Sequence, residues 1–125
     1  MKTANDYMQE ANAAVPRMGA EEAIAIHAAG GGTFIDVRDS ASIAESGTIK
    51  GAARIPRGMI EFRADPAVEA LYDPVFQKDA AFYLICGAGG QAALAGKTLK
   101  DMGFADVTNI GGFSAWKEAG GQTED

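Results

Sequence analysis

The run AAFYLIC (80–86) is apolar at every position and is followed at once by GAGGQ. A strand that alternates apolar and polar residues shows one face to water. A strand that is apolar throughout has both faces covered, and that happens inside a parallel sheet between two layers of helices. Parallel neighbours need long crossovers, usually helical, so the rest of the chain should alternate strand and helix. It does. VPRM (15–18), TFIDV (33–37), AARIP (52–56) and DVTNI (106–110) supply four further short strands. Helices are expected over 5–14, over AEEAIAIHAA with Glu21 and Glu22 in its first turn, over DSASIAESG (39–47), and over GMIEFRAD (58–65). Beyond the glycine turn, Ala92, Ala95, Leu99 and Met102 recur at helical steps from Gln91 onward, with Gly103 as the stop. A last short helix carries Trp116. The stretch ADPAVEALYDPVF, broken by Pro66 and Pro74, reads as a loop.

The chain of 125 residues suits one domain with a real core. Its 17 acidic and 11 basic residues give a net charge of −6, which argues against a nucleic-acid partner and against anionic membrane surfaces. No stretch approaches a membrane span, and the first residues hold no apolar signal segment. One cysteine cannot form an internal disulfide, so a reducing, cytoplasmic setting is expected. One histidine and one cysteine make no credible zinc site, and no metal or cofactor is expected.

The single thiol, Cys86, ends the strongest strand and precedes a helix. In parallel sheets ligands gather at the C-terminal strand ends, where Arg38 and Arg57 are also expected. A helix N-terminus offers unpaired N–H groups and partial positive charge. Gly87, Gly89 and Gly90 let the backbone curl so that successive N–H groups converge on one centre. Such a nest stabilises an anion, whether a thiolate, a persulfide or a bound oxyanion. The arrangement suits a nucleophile that carries a group covalently. A lone cysteine is otherwise a small core residue, and the glycine-rich turn is what favours the chemical reading.

Four motifs in order then resemble the rhodanese family of sulfurtransferases. Cys86-Gly87-Ala88-Gly89-Gly90-Gln91-Ala92 is similar to its Cys-x-x-Gly-x-Arg-Ser/Thr loop. IDVRD (35–39) resembles its Asp-x-Arg strand end, and ESGTIKGAARIP (45–56) its Glu…Gly-His-Ile-x-Gly-Ala…Ile-Pro segment, with Thr48 in place of histidine. VTNIGGFSAWKEAGG (107–121) resembles its closing Gly-Gly-x-x-x-Trp signature. The resemblance implies a three-layer α/β/α domain over 15–121 with a five-stranded parallel sheet. An N-terminal helical extension (1–14) would precede it and a disordered tail (122–125) would follow. It further implies that Cys86 takes sulfane sulfur from a small anionic donor such as thiosulfate, and that backbone N–H groups from Gly87 to Ala92 cradle the resulting persulfide. The acceptor would be a thiol, cyanide or a small redox protein. Asp36, Arg38 and Glu45 would brace the site.

The departures are informative. Gln91 stands where the family has its loop arginine and Ala92 where it has a hydroxyl, which implies weak thiosulfate turnover. Arg57 or Arg63 could supply the missing charge from another segment. Phosphoryl transfer in the related Cys-x5-Arg phosphatases needs that cation, and neither 91 nor 92 provides it. Read as G-x-G-x-x-A, residues 87–92 mimic a dinucleotide fingerprint, but too little chain follows and no acidic residue ends the next strand. The remaining alternative is a non-enzymatic module that binds a partner or senses sulfur species. His27 and Ser114 lack catalytic neighbours in sequence, and Phe113 and Trp116 read as core residues.

Overall fold

The computed structural model describes residues 1–125. Its elements run α1 (Ala4–Ala14), α2 (Ala20–Ala28), β1 (Thr33–Asp36), α3 (Ser40–Ser46), β2 (Thr48–Ile49) and β3 (Ala53–Arg54), then a 3₁₀ turn (Arg57–Met59) leading into α4 (Ile60–Ala64). After a long irregular stretch come β4 (Ala81–Cys86), α5 (Gly90–Asp101), β5 (Asp106–Gly112), α6 (Phe113–Glu118) and β6 (Thr123–Glu124). Strands β3, β1, β4 and β5 lie in that order, all parallel, so their C-terminal ends share one edge.

β4 shows why AAFYLIC is apolar throughout. Phe82, Leu84 and Cys86 join Ile35, Val37, Leu99, Phe104 and Val107 in one core layer, under α4 and α5. Ile85 faces the opposite layer with Phe34, Ile110, Phe113 and Trp116, under α2 and α6. Alternate side chains therefore enter two separate cores, and no position is left for a polar residue.

Two expectations are corrected. The sheet has four paired strands rather than five. VPRM makes a single parallel bridge, Arg17 to Asn109, at the β5 edge. Pro16 has no N–H to donate, and Gly19 already caps α2, so the ladder cannot extend in either direction. Residues 122–125, expected as a disordered tail, are tied down: β6 pairs antiparallel with β2, and the Trp116 indole N–H donates to the Gln122 carbonyl at 3.1 Å. Arg54 adds a bond to the Asp125 carbonyl at 2.6 Å.

The segment ahead of VPRM is a capped helix. Thr3 Oγ1 accepts from the Asp6 N–H at 3.1 Å, and the Asp6 carboxylate accepts from the Thr3 N–H at 2.8 Å, a reciprocal box that satisfies two orphan donors. Those bonds hold the Asp6 carboxyl below the usual carboxylate range. α1 then packs on α5, with Ala11 and Val15 fully buried between them.

Candidate active site

Cys86 is the last residue of β4 and is completely buried. Its Sγ accepts two backbone hydrogen bonds, from the Gly89 N–H at 2.9 Å and from the Ala92 N–H at 3.3 Å. The second donor lies in the first turn of α5, where N–H groups have no partner within the helix. The sulfur therefore sits where the helix end offers both free donors and partial positive charge.

Among the loop glycines only Gly89 has a left-handed backbone, with φ +97°. Gly87 and Gly90 do not need that freedom. Gly89 caps α5, and its carbonyl accepts from Asn109 Nδ2 at 3.0 Å. The Asn109 Oδ1 accepts from the Gly111 N–H at 2.8 Å. One buried amide thus ties the cysteine loop to the end of β5. Here β5 bulges: Leu84 pairs with Asn109 but Cys86 with Gly112, and Gly111 takes φ +87°. A side chain at Gly112 would strike the Gly87 carbonyl, so the loop rests directly on backbone. The glycine pair 111–112 thereby shapes the cysteine turn from the neighbouring strand.

Beside the loop, Asp36 and Arg38 form a buried ion pair. Arg38 donates from Nη2 to Asp36 Oδ2 at 2.7 Å and from Nε to Oδ1 at 3.0 Å. Thr48, which stands where the resembled motif has histidine, donates its hydroxyl to Asp36 Oδ2 at 2.7 Å. Arg38 also reaches Ser46 Oγ at 2.9 Å and the Gly47 carbonyl at 2.8 Å, and its guanidinium lies 4.6 Å from the Phe113 ring centre. Every strong polar group is paired, which is what a buried pair requires. Glu45 is exposed and makes none of these bonds; Ser46, Gly47 and Thr48 make them instead.

The two arginines considered as substitutes for a loop cation are engaged elsewhere. Arg57 bonds to Glu61 at 3.1 Å and to Thr98 Oγ1 at 3.1 Å, partway along α5. Arg63 pairs with Asp73 at 3.2 Å. Neither makes a hydrogen bond to residues 86–92. Gln91 is exposed on the first turn of α5, and Ala92 is buried. Asn109 was not foreseen as a site residue. Its signal is a carboxamide inside the strand DVTNI, which a buried strand tolerates only when the amide is satisfied.

A protein of unknown function from Rhodopseudomonas palustris, described as a possible tyrosine phosphatase, is 38% identical over 99% of this chain and 96% of its own, with a TM-score of 0.92. The rhodanese-like domain of an Anabaena protein is 31% identical over 87% of this chain and 78% of its own, with a TM-score of 0.68. The human single-domain sulfurtransferase shares the fold, at 24% identity over 83% of this chain and 96% of its own and a TM-score of 0.71. No curated protein matches the sequence. The rhodanese-like domain model matches residues 19–119, which take in the sheet, the cysteine loop and the Trp116 helix. The chain belongs to the rhodanese-like domain family.

Proposed function

We propose that the protein is a sulfurtransferase that carries sulfane sulfur on Cys86. The observation behind this reading is the pair of backbone N–H groups, from Gly89 and Ala92, that converge on the cysteine sulfur at the end of the central strand. The Cys86 thiolate attacks the sulfane sulfur of a small donor such as thiosulfate. The donor's sulfur–sulfur bond breaks, sulfite leaves with the electron pair, and a persulfide remains on the enzyme. An acceptor thiolate or cyanide then attacks the outer sulfur, and Cys86 leaves as the thiolate. No outside oxidant or reductant is consumed. The amides that hold the thiolate also stabilise the persulfide anion, so both halves of the cycle use one cradle.

Burial of Cys86 favours small donors over bulky ones. The human sulfurtransferase of the same fold is consistent with this chemistry. The description of the Rhodopseudomonas protein raises phosphoryl transfer, but the loop lacks the arginine of the Cys-x5-Arg phosphatases, so any cation for the equatorial oxygens would have to come from another segment. The reading is tested by intact mass after incubation with thiosulfate or polysulfide. Gain of one sulfur atom, lost in Cys86→Ser and discharged by cyanide, is expected. A thiol that alkylates freely yet gains no sulfur from either donor would leave the protein a binding or sensing module.

A further inference from the structure

A cation stands beside the cysteine loop although the loop contains none. The Arg17 guanidinium nitrogens lie 3.1 and 3.4 Å from where a Cβ would stand on Gly89, and one lies 3.9 Å from the corresponding point on Gly111. Gly89 is the residue whose N–H makes the shorter bond to Cys86 Sγ.

Arg17 is also the arginine left without a partner. The other four pair with carboxylates: Arg38 with Asp36, Arg54 with Glu124, Arg57 with Glu61 and Arg63 with Asp73. In a chain of 17 acidic and 11 basic residues, the one unpaired guanidinium lies against the anion-binding turn. The backbone that carries it is held in place. Arg17 bridges to Asn109, the same residue whose side chain holds the Gly89 carbonyl and the Gly111 N–H. Arg17 is an exposed residue, so an arriving anion can reach it.

We infer that Arg17 is the cation of this site, binding the anionic sulfur donor from the N-terminal segment in place of an arginine in the loop. The inference rests on the sulfurtransferase reading for its substrate. Residues 1–18 lie outside the stretch matched by the family, which begins at residue 19. Met8 of α1 also reaches the loop, 3.9 Å from the Cβ position of Gly90. The segment before α2 thus supplies the charge and part of the wall of the site, while Gln91 leaves the loop neutral.

The test uses Arg17→Gln, Arg17→Lys and the double variant Arg17→Gln/Gln91→Arg in the full chain. With thiosulfate as donor, Arg17→Gln should raise KM about five- to twentyfold with kcat little changed, the size of one partly solvated charged contact. Arg17→Lys should keep most of the affinity, and the double variant should regain it. A second readout needs no turnover: sulfite should protect Cys86 from iodoacetamide, and Arg17→Gln should need about five- to twentyfold more sulfite for equal protection. Equal KM and equal protection in wild type and Arg17→Gln would overturn the inference, as would absence of protection in wild type. If wild type forms no persulfide, or turns over p-nitrophenyl phosphate instead, the sulfurtransferase reading fails, and the protection assay still decides the role of Arg17.

Discussion

Gly96→Ala should destabilise the protein, although the usual rule says the opposite. Gly96 lies inside α5, where alanine is ordinarily favoured over glycine by about 1 kcal/mol. Here a Cβ would stand 2.9 and 3.0 Å from the two methyls of Val15 and 3.3 Å from Val107 Cγ1. Carbon atoms in contact prefer about 3.5–4.0 Å. Val15 is buried and β-branched, so no χ1 rotation moves both methyls away at once. The backbone joining α1 to the bridge at Arg17 has to shift instead. Overpacking costs about 1–3 kcal/mol, and three close contacts on a stiff side chain put this site near the upper end. Subtracting the propensity gain leaves a net loss of about 2 kcal/mol, or roughly 6–8 °C in Tm for a domain of this size. Urea unfolding and a thermal melt followed by circular dichroism would measure it. Val15→Ala in the Gly96→Ala background should recover part of the loss, giving a favourable coupling in the double-mutant cycle. A Tm that rises in Gly96→Ala would refute the claim that α5 and the Val15 segment are in closest contact.

Three further outcomes are expected. Gln91→Arg should raise kcat/KM for thiosulfate about 10–100-fold, with the larger gain in the Arg17→Gln background; no gain in either background, by cyanide-coupled assay, would mean that the loop position does not meet the donor. Asp36→Ala should cost about 3–5 kcal/mol in urea unfolding, because it strands the buried Arg38 guanidinium and the Thr48 hydroxyl; a loss under 1 kcal/mol would show that Arg38 escapes to water. Asp39 caps α3, and its bond from the Ser42 N–H at 2.8 Å holds its carboxyl below the usual range. With the folded value depressed, the contribution is present above the ordinary carboxylate range and is lost as pH falls through the lowered value. Asp39→Asn keeps the cap without the titration, so its unfolding midpoint relative to wild type should improve as pH falls through that window; parallel curves for the two proteins would contradict this.

What was legible in the sequence was whatever depended on local pattern. The unbroken apolar run 80–86 required two covered faces, and the two core layers on β4 are that requirement met. Cysteine, glycine and helix start were adjacent in sequence, so the donors on Sγ could be anticipated as a cradle. What stayed illegible was set by contacts between distant segments. Nothing in VPRM marks Arg17 as a neighbour of Gly89; that follows only when Asn109 joins the edge bridge to the loop. Arg57 looked free because its partners, Glu61 and Thr98, lie on α4 and α5, and a sequence does not say which rim arginine turns toward which helix. The glycines follow the same division. Gly87 and Gly90 suggested conformational freedom by composition, yet Gly89 alone of the loop glycines uses it, while Gly112 is required by the Gly87 carbonyl of the cysteine loop. The charge of this site is therefore a property of the tertiary fold, and a neutral loop sequence by itself is no evidence for a neutral site.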